Sequence, residues 1–304
     1  MRNSFSEEIT SLAKKNKKIV LLSGDIGNRI FDKFKKKYPD RFYNCGVAEA
    51  CMTGVAAGIS KIGLHPITYT IATFNTLRNF EQIKLDLCYP NLRSIIVGTG
   101  AGLSYSSLGS THHSLEDIAL MRTLPNMTIF CPSDPNEVKK ILRSALKVKG
   151  PVYIRLGKKN EPHFGNRKKI GSSDLILKGS KNLIISVGNI LAESIKASKI
   201  LTKKYKVKNA VIDLKKVKPL NSMKLKKFIK SFTKIFIIEE HYSSNGAGTA
   251  IIEWLANEKK LINSIIPIGI KNEFIHAGGN QLNSREKAGI SAQKIVNRIL
   301  KKIE

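Results

Sequence analysis

Short apolar runs alternate with segments of helical period from one end of the chain to the other, and this alternation most restricts the folds open to it. Runs such as 18–22 (KIVLL), 93–97 (RSIIV) and 183–187 (LIISV) are nearly continuous in apolar residues, as strands buried on both faces require. Strands of that kind, separated by helices, build parallel sheets flanked by helical layers. The same pattern places helices at 6–15, 72–87, 114–124 and 135–148, and strands at 65–70, 127–131 and 150–158. Beyond these, strands are expected at 183–187, 210–213, 235–239 and 265–270, and helices at 192–205, 223–231, 246–257 and 292–302. With 304 residues there is room for two ordinary domains. Residues 159–179 are polar, basic and aperiodic, with Pro162, Gly165, Gly171 and Gly179 among them. The expected fold class is therefore α/β, two consecutive parallel-sheet domains at 1–160 and 181–304 joined by a linker at 161–180.

Lys and Arg number 52 against 23 Asp and Glu, a net charge of +29. Such a field attracts nucleic acid, anionic lipid or phosphorylated metabolites. The lysines, however, are spread over helix faces (Lys196, Lys199, Lys203, Lys204) and loops (Lys158, Lys159, Lys168, Lys169) rather than gathered in a patch. Nucleic-acid binding is accordingly not expected as the main role. No window approaches the roughly 20 apolar residues of a membrane span. The N-terminus lacks the apolar core of a signal peptide, so a cytoplasmic location is expected. Cysteines stand at 45, 51, 88 and 131 without a C-x-x-C pair. Buried free thiols are expected in place of zinc ligands or disulfides.

Three stretches carry polar groups where the pattern puts strand ends. In 42–59 a strand end and a tight turn at Gly46 lead into a helix of small and apolar residues with one carboxylate, Glu49, in its first turn. Buried there, Glu49 either complements the helix N-terminus or serves a ligand. Ser23-Gly24-Asp25-Ile26-Gly27 ends another strand but lacks the spacing of a dinucleotide fingerprint. Residues 98–113 form a long Gly- and Ser-rich loop with adjacent histidines, His112 and His113, and loops of that kind tend to be functional. Phe74, Leu77 and Phe80 lie on the helix expected at 72–87, and the cations Arg155 and Lys158 stand near the end of the strand expected at 150–158. The densest polar cluster of the second half, Glu239-Glu240-His241, has no nucleophile elbow nearby. A structural or assembly role is expected for that half.

The Asp25 turn, Asn44-Cys45-Gly46-Val47-Ala48-Glu49, Gly109-Ser110-Thr111-His112, Leu124-Pro125-Asn126-Met127 and Pro132-Ser133-Asp134 together resemble the pyrimidine-binding domain of transketolases. The second half, with Lys218-Pro219 and Glu239-Glu240-His241, is similar to the transketolase C-terminal domain. The resemblance spans essentially the whole chain. Full-length members begin with a domain whose Gly-Asp-Gly motif and later Asn bind diphosphate and Mg²⁺, and nothing of that kind occurs in this sequence. The resemblance thus implies the C-terminal subunit of a split, two-chain transketolase. Its thiamine diphosphate would be shared with an N-terminal, diphosphate-binding subunit that carries the Mg²⁺, with no metal ligand on this chain and two copies of each chain in a heterotetramer.

The same resemblance implies roles for single residues. Glu49 matches the glutamate that hydrogen-bonds the aminopyrimidine ring, and Phe74 the aromatic that stacks on it. Ile71 and Leu77 stand where two further aromatics are usual, so the pocket is more aliphatic. His112 matches a histidine that contacts substrate hydroxyls or moves a proton. Arg2 and either Arg155 or Lys158 match phosphate-binding arginines. Leu108 replaces an aspartate that reads the donor's hydroxyl, and Gly100 replaces a second loop histidine. An apolar residue cannot reward a hydroxyl, which points to a phosphorylated or modified sugar other than the housekeeping one. The alternatives are a deoxyxylulose-phosphate-synthase-like enzyme or a 2-oxo acid dehydrogenase β subunit, both decarboxylating a 2-oxo acid. Also open are a non-enzymatic nucleic-acid-binding or assembly protein and a degenerate subunit; the joint presence of Glu49, Phe74 and His112 speaks against the last.

Overall fold

The computed structural model describes residues 1–27, 29–159, 161–165, 173–257 and 264–303. Its first half runs α1 (Arg2–Lys15), β1 (Ile19–Ser23), α2 (Asp32–Lys37), β2 (Phe42–Asn44), α3 (Glu49–Lys61), β3 (His65–Ile71), α4 (Phe80–Gln82), β4 (Ile95–Thr99), α5 (Asp117–Thr123), β5 (Thr128–Phe130), α6 (Pro135–Ala145) and β6 (Val152–Leu156). The second half runs β7 (Ser173–Leu177), β8 (Leu183–Val187), α7 (Leu191–Tyr205), β9 (Ala210–Leu214), β10 (Lys216–Lys218), α8 (Met223–Lys230), β11 (Lys234–Tyr242), α9 (Ala247–Asn257), β12 (Ser264–Ile270), α10 (Gln281–Lys287) and α11 (Ala292–Ile303).

The apolar runs make two sheets, ordered β10-β5-β6-β4-β3-β1-β2 and β12-β11-β8-β9-β7. Every pairing is parallel except β10 on β5 and β7 on β9. The register sets Ser23 opposite Tyr69 and Asn44, and Thr99 opposite Ile71 and Leu156. The carboxyl ends of β1, β2, β3, β4 and β6 therefore open on one edge, where open α/β sheets bind ligands. One apolar core runs from Leu87, Ile118 and Tyr153 of the first half into Leu183, Leu214 and Ile251 of the second, packing the two units together. A second core, with Phe5, Ile67, Ile141 and Ile154, fills the space between the first sheet and α1 and α6.

Several expected elements are placed differently. Residues 72–79 are turns, followed by α4 and a π-helical segment, Ile83–Cys88, instead of one helix over 72–87. Polar side chains in this stretch bond to other segments as well as along it. Asn75 donates to the Val97 carbonyl, Thr76 to the Ala72 carbonyl, and Asn79 to the Thr53 hydroxyl. The helix expected from 114 starts at Asp117, because Ser114 bridges to Gly102. Within the expected linker, Ser173–Leu177 is instead edge strand β7, while Lys168, Lys169 and Gly171 lie outside the described residues. β10 comes from the second half yet extends the first sheet. Cys88 and Cys131 are buried as expected, but Cys45 is half-buried and Cys51 exposed on α3.

Candidate active site at the carboxyl edge of the first sheet

Glu49 enters α3 through a turn pinned by one side chain. The Asn44 amide oxygen accepts the backbone N–H groups of Asp25 and Gly46, both at 3.1 Å, and its nitrogen donates to Asp25 Oδ1 at 2.9 Å. Gly46, at φ +67°, supplies the left-handed residue that reverses the chain. Glu49 follows as the first residue of α3 and is 1% exposed. Its carboxylate is engaged by side chains from neighbouring elements: Thr70 Oγ1 at 3.5 Å and Arg78 Nη1, which donates to Oε2 at 2.7 Å.

From Glu49 an unbroken line of contacts crosses the strand ends. The Arg78 guanidinium carbon lies 4.4 Å from the centre of the Phe74 ring. That ring meets His112 edge-on, 5.2 Å between centres, and His112 lies 5.8 Å from Tyr105. Lys158 Nζ sits 3.8 Å above the Tyr105 ring, and Arg2 Nε donates to the Lys158 carbonyl at 2.6 Å. One end of the line is a buried carboxylate beside an aromatic face; the other is a pair of cations at an opening lined by Arg2, Lys158, Lys159 and His163.

The electrostatics of the two ends differ. Partial burial, and then the charge of Lys158, hold the His112 imidazole below its ordinary pKa. Partial burial, and then Arg2 and Lys159, lower Lys158 in the same way. Positive charge is therefore in excess at the opening, and a phosphate bound there would relieve it. His112 Nδ1 lies 2.9 Å from Thr111 Oγ1.

Not every residue singled out from the sequence reaches this line. Ile71 is buried at the end of β3, while Leu77 and Leu108 are half-exposed, each at 47%. Arg155 lies away from the line: the residue is 4% exposed and donates to Asp117 Oδ2 at 2.7 Å, to the Ser114 carbonyl at 3.0 Å and to the Glu240 carbonyl at 2.9 Å. Those bonds hold it in the interior between the two halves, whereas Lys158 stands at the opening with Arg2. His113 is also turned inward, where burial lowers its pKa. Glu239 accepts the backbone N–H groups of Ala247 and Gly248 at the start of α9. Glu240 takes Leu103 N, Gln281 and Arg285, and His241 accepts Ala119 N–H. That cluster staples elements together.

Arg78 and Tyr105 belong to the line and were not singled out from the sequence. Arg78 follows Phe74 by four positions in a stretch of Thr and Asn, and Tyr105 is the lone aromatic of the Gly/Ser loop. Tyr105 also accounts for Gly100. That residue has φ +69°, and a Cβ on it would collide with the Tyr105 ring. Tyr105 thus fills the space a side chain at position 100 would need.

Arg78 demonstrates what the pocket accepts, namely a flat nitrogen-bearing group that donates to Glu49 while lying against Phe74. An aminopyrimidine that shares a proton at its ring nitrogen with the carboxylate has the same two properties, so these residues fit the ring of thiamine diphosphate. Among the described residues no three His, Cys, Asp or Glu side chains converge as a metal site, and no helix is long and apolar enough to cross a membrane.

Comparison with known proteins bears on both halves. Residues 1–162 match the family described as "Transketolase, pyrimidine binding domain", and residues 171–295 match "Transketolase, C-terminal domain". An apulose-4-phosphate transketolase subunit from Actinobacillus succinogenes is 35% identical over 272 residues, covering 87% of this chain and 85% of the relative. The 1-deoxy-D-xylulose-5-phosphate synthase of Dictyoglomus thermophilum is 31% identical across 99% of this chain but only 49% of its own length. A solved structure described as "Split gene transketolase, inactive beta4 tetramer" superposes with a TM-score of 0.87 at 31% identity, covering 99% of this chain and 96% of that one.

Proposed function

Because the chain belongs to the transketolase family, we propose that it is the C-terminal subunit of a two-chain transketolase dependent on thiamine diphosphate. It would pass a two-carbon ketol unit from a ketose phosphate to an aldose acceptor. The observation that carries this reading is the buried Glu49 carboxylate sharing one flat partner with the Phe74 ring. When bound, the cofactor supplies the nucleophilic carbon that makes and breaks carbon–carbon bonds, and the protein orients and polarises it. Glu49 would hold a proton at the pyrimidine nitrogen, Phe74 would stack on the ring, and Ile71 and Leu77 would wall it with aliphatic surface. His112, neighbouring Phe74, contacts substrate hydroxyls and moves a proton. Lys158 and Arg2 hold the substrate phosphate at the opening. Leu108, exposed on the loop before His112, offers no hydrogen bond to a donor hydroxyl, which favours a modified sugar phosphate. The name of the Actinobacillus relative, which refers to apulose 4-phosphate, agrees with such a donor.

The diphosphate and Mg²⁺ fall to a partner subunit. α3 offers the surface for it, since Val47, Cys51, Val55, Gly58 and Ile62 recur at helical spacing and form an exposed apolar stripe that begins beside Glu49. Seating the partner there closes the site over Glu49, and two copies of each chain complete a heterotetramer. A cytoplasmic location suits phosphorylated substrates.

The test is to purify the chain with a diphosphate-binding subunit and assay two-carbon transfer from xylulose 5-phosphate and from branched or deoxy ketose phosphates. Transfer that needs both chains and prefers a modified donor is expected. Release of CO₂ from pyruvate without ketol transfer would instead establish the decarboxylating alternative.

A further inference from the structure

Arg78 meets the two groups assigned to the pyrimidine ring, and it does so from the turn that carries Phe74. Its guanidinium donates to Glu49 Oε2 at 2.7 Å and lies over the Phe74 ring at 4.4 Å. A ring bonded to Glu49 and stacked on Phe74 needs the same two surfaces, and two flat groups cannot hold both at once. We propose that Arg78 is a built-in placeholder for the aminopyrimidine, keeping Glu49 and Phe74 set for the cofactor and leaving when the cofactor enters. This deepens the transketolase reading and rests on it.

Physical chemistry supports each part. Glu49 is buried, and a buried carboxylate without a counter-charge is costly. Arg78 answers that charge, and its position over the ring adds a cation–π contact. The Arg78 side chain is itself 44% exposed. Solvent therefore weakens the pair, and the side chain can swing into water with its charge hydrated. Lysine would be a poorer placeholder, because an ammonium lacks the flat fork that both stacks and donates. The contact follows the rest of the local fold. Asn75 and Thr76 hold the turn to β4 and to Ala72, so Arg78 is presented from a backbone that need not move when its side chain does.

Displacing Arg78 costs the complex part of its cofactor affinity, so removing it should tighten binding. The experiment is calorimetric titration of thiamine diphosphate, with saturating Mg²⁺, into the assembled two-chain enzyme carrying wild-type Arg78, Arg78→Ala or Arg78→Lys. Arg78→Ala should bind about tenfold more tightly, the scale of one half-exposed ion pair plus one cation–π contact, and Arg78→Lys should fall between. Thermal melting of the unliganded complex checks that the variants fold, and Arg78→Ala should melt lower there because Glu49 has lost its partner. Wild-type binding with Arg78→Ala equal or weaker would overturn the placeholder while leaving the transketolase reading intact. Absence of thiamine diphosphate binding by the folded wild-type complex would overturn both.

Discussion

Arg78 and Glu49 form a 2.7 Å ion pair across 29 positions of sequence, one from the turn after β3 and the other from the first turn of α3. The Glu49 carboxylate is engaged by the side chains of Thr70 and Arg78, which come from neighbouring elements. A carboxylate serving only its own helix terminus would be turned to its own backbone.

The fold separates Arg155 from Lys158, two cations that lie three positions apart in sequence. Arg155→Ala removes the partner of a buried carboxylate, Asp117, and should lower stability by about 3 kcal/mol or more. Lys158→Ala should leave stability within about 0.5 kcal/mol but raise KM for a phosphorylated donor about tenfold or more, the loss of one charge-assisted contact. Urea unfolding and steady-state kinetics check both. A stable Arg155→Ala variant with a raised KM would return the phosphate role to Arg155.

Tyr105 makes a prediction at Gly100. Restoring a histidine there combines a strained left-handed backbone with a collision against the ring. Gly100→His should cost about 2 kcal/mol or more of stability. Adding Tyr105→Ala should recover part of that loss, which a melting series on the single and double variants measures.

The pH dependence follows from His112. Its pKa is held below the ordinary 6.5, first by partial burial and then by Lys158. A step that needs the neutral imidazole therefore keeps its rate as pH falls to about 6.5 and loses it only below. Lys158→Met removes the neighbouring positive charge, so the His112 pKa should rise and the acid limb of kcat/KM should move to higher pH. An acid limb that stays in place would mean that His112 does not set it.

Assembly tests the stripe on α3. Val55 is exposed midway along that helix, where a carboxylate costs the folded subunit little. Val55→Glu should leave the melting temperature of the lone chain unchanged and weaken association with the diphosphate-binding subunit at least tenfold, because a charge would be buried unpaired at the junction. Analytical ultracentrifugation of the mixed chains reads this directly.

Much of this architecture is legible in the sequence because buried parallel strands leave near-continuous apolar runs. Leu183–Val187 is bounded as its run implies, and the Gly46 turn and Glu49 helix start follow from residue type. The stretch 72–87 misleads, since its apolar spacing suits a helix while Asn75 and Asn79 spend their side-chain hydrogen bonds on β4 and α3. β7 hides in a polar stretch because an edge strand needs only one covered face. In the site, Glu49, Phe74 and His112 are brought together, but local pattern gives no measure of depth. Arg155 and Lys158 look alike in sequence, and only the fold puts one inside and the other at the opening. Arg78 and Tyr105 are defined by what they touch across the fold.

The proton that Glu49 would hold at the cofactor's pyrimidine is measured most directly by ketol transfer in the assembled complex carrying Glu49→Gln. The substitution keeps the shape and removes the carboxylate. A folded, assembled complex whose kcat falls by more than tenfold, or about 1.4 kcal/mol, is expected. A Glu49→Gln complex that keeps more than a tenth of wild-type turnover would contradict that role for Glu49.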